Sequence, residues 1–240
     1  MSGTVLITGG ARRFGRALSL ALAAQGYSVI ITYRQNSHDL ASLENAGVHC
    51  IQADFSNAES TNHFIETFKR DFTDLRALIH NASEWLPESA SLPPEEVLSR
   101  NLAIHVQTPY LLNLGLEDLL RKGADNHGLA DIIHMTDYVA TRGSSKHIAY
   151  AASKAALHNM SCSFAGRLAP QVKVNSIAPA LLIFRDEDDA RYRTKVAGKS
   201  LLPPGPGAEE GINTVLMLLA SRYITGQSIA LDGGRHLKQG

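Results

Sequence analysis

The sequence predicts an α/β fold, a doubly wound parallel sheet of about seven strands with helices on both faces. Three observations carry this. Short β-branched apolar runs recur along the chain, the first being Thr4 to Thr8, T-V-L-I-T. They alternate with longer stretches whose apolar residues follow helical spacing, the pattern of a parallel sheet covered on both sides. A glycine-rich turn from Gly9 to Gly15 separates the first strand from the first helix.

The elements follow in order. Phe14 to Ala24 has a helical apolar pattern that stops at Gly26, and Ser28 to Tyr33 (S-V-I-I-T-Y) is a second strand. Asp39 to Ala46 is helical, His49 to Ala53 a third strand, Glu59 to Phe72 a helix and Arg76 to His80 a fourth strand. Pro93 to Leu120 is mostly helical. Proline and two acids suit its first turn, and Pro109 predicts a kink. Asp131 to Thr136 is a fifth strand, Ile148 to about Leu168 a helix, Val172 to Ile177 a sixth strand and Ser228 to Leu231 a last one. Phe184 to Gly207 shifts in composition, from R-D-E-D-D to P-P-G-P-G. Because a helix and a strand follow it, it reads as a mobile insertion covering the site, within one domain spanning 1–240.

With 240 residues, 44% of them hydrophobic, the chain can bury a substantial core. Lysine plus arginine equals aspartate plus glutamate, so the basic excess of a nucleic-acid binder is missing. Cys50 and Cys162 lack metal-type spacing and are expected as buried free thiols of a reducing compartment. No metal site is expected. No signal peptide and no run of membrane-spanning length is visible, which points to a cytoplasmic protein without membrane contact.

A glycine-rich turn that opens a helix lets backbone N–H groups approach a diphosphate, and the helix N-terminus adds partial positive charge. Here the turn reads T-G-G-A-R-R-F-G, with Arg13 at a place often taken by glycine and Arg12 beside it. An acid at the end of the second strand would bind a ribose 2′-hydroxyl. The chain has Arg34 there instead, with no acid before Asp39, and an arginine can pair with a 2′-phosphate. The expected cofactor is NADPH/NADP on a Rossmann-type fold.

Tyr150 and Lys154 are four residues apart in a helical stretch, so they share one face. A cation beside a phenol is expected to lower its pKa and to make it a proton donor or acceptor near neutral pH.

Taken together, these residues resemble the short-chain dehydrogenase/reductase family over essentially the whole chain. Thr8-Gly9…Gly15 is similar to its cofactor loop, and Asp54 to its adenine-contacting residue. Asn81-Ala82 is similar to the segment after its fourth strand, Tyr150-x-x-x-Lys154 to its catalytic pair, Asn175…Pro179 to its nicotinamide segment and Asp232-Gly233-Gly234 to its C-terminal signature. The resemblance implies cofactor contacts from Gly9, Arg12, Arg13, Phe14, Gly15, Tyr33, Arg34, Asp54 and Phe55. It implies further ones from Asn81, Ala82, Ser83, Thr136, Tyr150, Lys154 and Pro179. It also implies a homodimer or homotetramer formed through the helices that begin at Pro94 and contain Tyr150.

The departures narrow the branch. Asp137, thirteen residues before Tyr150, stands where the family carries a serine, and Arg13 and Ser83 depart at two other places. Together they resemble the pteridine reductase branch, which implies substrate contacts from Arg13, Ser83, Trp85, Asp137 and Tyr150, with the Trp85 ring stacking a pterin. Independently of that, a carboxylate accepts hydrogen bonds and suits a substrate with ring N–H and amino groups, whereas a serine hydroxyl suits a ketone. The implied reaction is NADPH-dependent reduction of a dihydropterin at its C6=N5 imine. The expected substrate is 7,8-dihydromonapterin, with 7,8-dihydrofolate a second, and the catalytic residues are Tyr150, Lys154 and Asp137. Whether Tyr150 or Asp137 delivers the proton, and whether His105 or Asn101 joins a relay, stays open. So do two rivals, a carbonyl or 3-oxoacyl reductase of the same fold and an NADPH-binding regulator without turnover.

Overall fold

In the computed structural model, which describes residues 3–36, 40–88, 91–184, 188–203 and 207–238, one sheet runs through the chain. Its strands are β1 (Thr4–Thr8), β2 (Ser28–Tyr33), β3 (His49–Gln52), β4 (Ala77–His80), β5 (Ala130–Met135), β6 (Val172–Pro179) and β7 (Ser228–Leu231). All pairings are parallel, in the order β3-β2-β1-β4-β5-β6-β7. The helices are α1 (Arg13–Ala24), α2 (Leu40–Asn45), α3 (Ala58–Asp71), α4 (Pro94–Leu102), α5 (Thr108–Gly115), α6 (Glu117–His127), α7 (Val139–Arg142), α8 (Ile148–Leu168), α9 (Ala190–Ala197) and α10 (Glu209–Ala220).

Alternate strand residues fill two cores. On one face Leu6, Leu78, Ile132 and Val174 meet Phe64 and Phe68 of α3, Leu112 of α5, Leu120 of α6 and Phe164 and Leu168 of α8. On the other Val5, Ile7, Ile79, Ile133 and Ile177 meet Leu18 and Leu22 of α1 and Val215 and Leu218 of α10. Each such side chain contributes about 1.5–3 kcal/mol when fully buried. The near-continuous apolar runs in β1, β2 and β4 follow from this two-sided burial.

The strand order reverses between β1 and β4, where the chain leaves β1 toward one flank and β4 toward the other. Ligands bind at such a switch point, outside the carboxyl ends of the strands. Thr8 pairs with His80, so the turn after β1 and the segment after β4 lie side by side. Asn81 joins them, its Nδ2 donating to the Thr8 oxygen at 3.2 Å and the Gly9 oxygen at 2.8 Å.

The break expected at Pro109 takes the form of a π-helical turn over Ala103–Gln107. The Thr108 N–H donates to the Ala103 oxygen, five residues back, where an α-helix would reach four. Thr108 precedes the proline, which has no N–H of its own, and α5 starts cleanly from there. The helical run continues to His127 as α6, past the expected end at Leu120. Helices α7 and α9 are short, and apolar periodicity did not reveal them. Of the stretch expected to cover the site, residues 185–187 and 204–206, like Asp39 of the second helix, lie outside the described residues.

The expected burial of both cysteines is corrected: Cys50 is half-buried and Cys162 exposed, both as free thiols. Helix α8 buries Leu157, Ser161, Phe164, Ala165 and Leu168, and position 162 falls next to that stripe on the solvent side.

At the opposite end of the sheet, Asp131 is fully buried between Arg76 and Lys173. Arg76 Nη1 pairs with Asp131 Oδ2, and Lys173 Nζ lies 2.8 Å from Oδ1. The same cations hold the end of α10, Arg76 donating to the Leu219 oxygen at 2.7 Å and Lys173 to the Leu218 oxygen at 2.6 Å.

Candidate active site

A cleft of about 670 Å³ opens at the carboxyl ends of β1, β2, β4, β5 and β6. At one end is the turn after β1. Gly9 has φ +65°, and a Cβ there would stand 2.8 Å from Ala82 Cα. A Cβ at Gly15 would strike the Gly9 carbonyl oxygen. These glycines keep backbone free to approach a ligand, at the N-terminus of α1. Arg13 has φ +49°, the one non-glycine residue with positive φ among the described residues. The backbone there wants glycine, and an arginine held against that preference fits a functional use of its side chain. Its Nη2 donates to the Ile183 oxygen at 3.4 Å, tying the turn to the segment after β6.

Arg12, Phe14, Tyr33, Arg34, Asp54, Phe55, Ala82 and Ser83 also line the cleft, as do Thr136 and Pro179. Asp54 accepts from the backbone N–H and the hydroxyl of Ser56, each at 3.1 Å, which fixes its carboxylate at the end of β3. Sequence reasoning missed Glu84 and Arg100, which line the same wall and pair with each other. Glu84 Oε1 is also 3.9 Å from Arg34 Nη1. The missed signal was an acid four residues after a strand end, facing a helix whose last turn carries an arginine.

The other end of the cleft holds Tyr150, Lys154 and Asp137. Helix α8 starts where Glu88 Oε1 accepts from the Ala149 N–H at 2.7 Å, an acid completing a helix N-terminus. One turn in, Tyr150 and Lys154 are buried on the face toward β5. The Tyr150 hydroxyl donates to Asp137 Oδ2 at 3.0 Å. Asp137 Oδ1 accepts from the Val139 N–H at 3.0 Å, so α7 orients the carboxylate. Lys154 Nζ donates to the Met135 oxygen at 2.7 Å and lies 5.6 Å from the centre of the Tyr150 ring.

The electrostatics correct one expectation. The Tyr150 pKa is not lowered: burial, then the Asp137 charge and its hydrogen bond, push it well above the ordinary value of a tyrosine. Burial also raises the Asp137 carboxyl, against the pull of the Val139 N–H and the Lys154 charge. Lys154 is lowered to about 8, burial outweighing the nearby Asp137. The buried phenol therefore keeps its proton in the ligand-free protein, and the lysine is the group that titrates near neutrality.

His105, brought in by the π-helical turn, belongs to this end. Its ring stands edge-on to Tyr150, centroids 5.3 Å apart. Nε2 is 2.8 Å from Ser83 Oγ and Nδ1 is 2.9 Å from Ser153 Oγ. Ser153 donates its one hydrogen to the Tyr150 carbonyl oxygen at 2.7 Å. It must therefore accept from Nδ1–H, which leaves Nε2 to accept from Ser83. Burial, and then Lys154, hold the His105 pKa well below its usual value, in keeping with this neutral tautomer. Asn101 is buried one turn before His105: its backbone hydrogen-bonds the His105 side chain, and its Nδ2 donates back to the Val97 oxygen of its own helix at 2.8 Å.

Trp85 is not part of the cleft lining. Its ring is 53% exposed and tilted against His147, centroids 4.3 Å apart. His105 and Arg100 draw Ser83 and Glu84 inward, and the next side chain turns away.

A doubly wound sheet with a glycine turn at its switch point, and a buried Tyr–Lys pair beside it, defines a nucleotide-dependent dehydrogenase or reductase. The family model described as enoyl-(acyl carrier protein) reductase matches residues 9–236, and the chain belongs to the short-chain dehydrogenase/reductase family of oxidoreductases. It is 52% identical to a dihydromonapterin reductase of Escherichia coli K12, over 98% of this chain and 97% of that protein. It is 51% identical to one from Citrobacter koseri over the same shares. Among solved structures, FolM alternative dihydrofolate reductase 1 from Brucella canis, complexed with NADP, matches with TM-score 0.84 and 29% identity. The match covers 99% of this chain and 95% of that one.

Proposed function

We propose that the chain is an NADPH-dependent dihydropterin reductase, a single domain over residues 1–240, acting on 7,8-dihydromonapterin and on 7,8-dihydrofolate. The observation that carries this is the Tyr150–Asp137 pair: just past β5 it is a carboxylate that accepts from the phenol. The names of the 52% and 51% identical relatives support the substrate class, and the NADP complex of the Brucella protein supports the cofactor.

The residues present fit a dinucleotide phosphate. The turn from Gly9 to Gly15, whose Cβ positions are closed to side chains, would hold the diphosphate, and Arg34 and Arg13 would meet the negative charge of a 2′-phosphate. Asp54 and Phe55 would border the adenosine, and Asn81, Thr136, Pro179 and Lys154 the nicotinamide riboside. Bound NADPH supplies a hydride.

The chain supplies the proton. Tyr150 Oη holds it, since burial and the Asp137 charge oppose its loss. A pterin that donates ring N–H and amino hydrogens to Asp137 disperses that charge, so binding of the right substrate makes the Tyr150 proton easier to release. The neutral Lys154 of an alkaline solution would withdraw the counter-charge that a phenolate needs. Arg13 and Ser83 border the same pocket. Leu98, Leu102 and Tyr110, exposed on α4 and α5, fit association of copies into a dimer or tetramer through that flank.

The test is NADPH oxidation by the purified protein with 7,8-dihydromonapterin and 7,8-dihydrofolate, beside a panel of ketones and β-ketoacyl thioesters. Turnover of the pterins alone supports the reading. Turnover of ketones without pterins overturns it and leaves a carbonyl reductase.

A further inference from the structure

The cleft's own cations, Arg12, Arg13, Arg34, Arg100 and Lys154, line its walls. A second group of cations lies outside that lining, beyond Asp137. The C-terminal segment 232–238 crosses there. Arg235 places its guanidinium 4.3 Å from the centre of the Tyr138 ring, next in sequence to Asp137. Arg142 Nη1 fixes the segment from one side, donating to the Arg235 oxygen at 3.2 Å and the His236 oxygen at 2.8 Å. From the other side the Leu202 N–H donates to the Gly233 oxygen at 2.8 Å, and Lys238 Nζ reaches the Ser200 oxygen at 3.4 Å. These bonds bring the stretch after α9 against the C-terminal segment.

Lys199 and Arg235 are brought close in this way, and the charges of Lys195 and Lys146 also reach Lys199, so the four come from three separate parts of the chain. Among the described residues none of the four has a carboxylate within ion-pair distance. The acids nearby are engaged: Asp232 holds His236 and the Gly234 N–H, and Asp189 caps α9 at the Tyr192 N–H. The Lys199 ammonium is lowered from its usual value, by burial and then by the charges of Arg235, Lys195 and Lys146. Arg235 also lies close enough to Asp137 to act on its carboxyl, so the cluster is only partly compensated, and like charges gathered in this way become favourable when an anion arrives. Leu201 and Leu202 stand exposed beside them, Leu201 over Gly234, so the rim offers an apolar surface next to the cations.

We propose that Lys199 and Arg235, with Lys146 and Lys195 around them, form an anion subsite at the rim for a negatively charged side chain of the substrate. The inference rests on the dihydropterin reading and extends it. The heterocycle binds at Asp137, and a substituent long enough to leave the cleft, an apolar spacer ending in carboxylates or a phosphate ester, meets the cations. 7,8-Dihydrofolate, with its aromatic spacer and glutamyl carboxylates, has that chemistry. A pterin with a neutral polyol side chain does not.

The experiment compares kcat/KM for 7,8-dihydrofolate, its triglutamyl form and a phosphate ester of a hydroxyalkyl dihydropterin with that for uncharged 7,8-dihydrobiopterin. It uses the wild type, Lys199→Glu, Arg235→Glu and the charge-keeping Lys199→Arg. The subsite predicts that each reversal raises KM for anionic substrates by about 1.5- to fivefold, the range of solvent-exposed ion pairs. For Lys199→Glu it predicts an unchanged kcat, no effect on dihydrobiopterin, and recovery in Lys199→Arg, whereas Arg235→Glu, whose charge reaches Asp137, is judged by the KM difference between charged and uncharged pterins alone. The wild-type preference should also shrink as salt rises. Carboxylate and phosphate sources are told apart by which anionic substrate responds more. An equal effect of the reversals on charged and uncharged pterins, or none on either, overturns the subsite. Binding of oxidised folate and of neutral biopterin in the presence of NADP, followed by calorimetry, judges it independently of turnover. If no dihydropterin is reduced, the functional reading fails, and the subsite stands or falls on whether folate outbinds biopterin and loses that advantage in the two reversals.

Discussion

Tyr150 donates to Asp137 across 3.0 Å in a buried corner of the cleft, so the phenol shares its hydrogen with a carboxylate whose own proton affinity burial has raised. The two groups titrate as a pair. Replacing Asp137 with serine removes the charge that holds the Tyr150 proton. The phenol of Asp137→Ser is expected to ionise at lower pH than in the wild type, measured by ultraviolet difference titration. Its kcat/KM for dihydropterins is expected to fall by about 10²–10⁴, the usual range for a lost acid–base group. An unshifted phenol titration would show that burial alone sets the Tyr150 proton.

Lys154 sets an alkaline limit. With its ammonium lowered to about 8, the free protein loses that charge at a pH where Tyr150 still holds its proton. NADPH affinity, followed by fluorescence titration, is expected to weaken above that pH. Lys154→Arg, which keeps its charge, is expected to bind NADPH with a flat profile through pH 10, whatever its turnover.

Arg34 is expected to decide between phosphorylated and unphosphorylated cofactor. Its guanidinium lies at the end of β2, 3.9 Å from Glu84 Oε1. Arg34→Asp is expected to cut the preference for NADPH over NADH by about ten- to hundredfold, the worth of one charge-assisted contact. An unchanged preference would move the 2′-phosphate to Arg12 or Arg13.

Acid is expected to destabilise the protein through buried histidines behind the site. His80 Nε2 meets Asn113 Oδ1 at 2.7 Å, Asn113 Nδ2 meets His134 Nε2 at 3.1 Å, and His134 Nδ1 meets Ser161 Oγ at 2.8 Å. Ser161 donates onward to the Leu157 oxygen at 2.9 Å, so the hydrogens run one way along the chain of neutral rings. Burial lowers His80 to about 4 and His134 well below its usual value. These values lie below that of an unfolded histidine, so the unfolded chain takes up protons first as pH falls. The stabilisation is complete above pH ~6.5 and is lost as pH falls through the folded value, about 3 kcal/mol for His80 alone. Urea midpoints between pH 7 and 4 test this, and His80→Asn combined with His134→Asn should flatten the slope.

Asp131 is expected to matter for stability and not for chemistry. Asp131→Ala leaves Arg76 and Lys173 buried without their counter-ion and should cost about 3–5 kcal/mol in urea unfolding. A triple replacement of Asp131, Arg76 and Lys173 by leucine and methionines should recover most of that loss. An Asp131→Ala protein as stable as the wild type would mean that water reaches the cluster.

The local chemistry was written in the sequence. β1 and β2 fall where apolar runs of β-branched residues end at polar or glycine positions, because a strand buried on both faces needs that composition along its length. Arg13 could be read as a departure from glycine, and the Tyr150–Lys154 spacing placed both side chains on one helix face, because both are properties of neighbouring residues. Tertiary structure decided what depends on distant segments meeting. Whether Lys154 lowers the Tyr150 pKa depended on Asp137, thirteen residues away along the chain and 3.0 Å away in space, and on burial that no spacing reveals. That the His105 ring meets Tyr150, Ser83 and Ser153 depended on distant elements packing together, and so did the place of Trp85 against His147, outside the cleft lining. The cations at the rim come from residues 146, 195, 199 and 235, which a linear reading treats as unrelated surface charges. Sequence periodicity encodes which way a side chain points from its own element, whereas electrostatics is set by which elements the fold packs together.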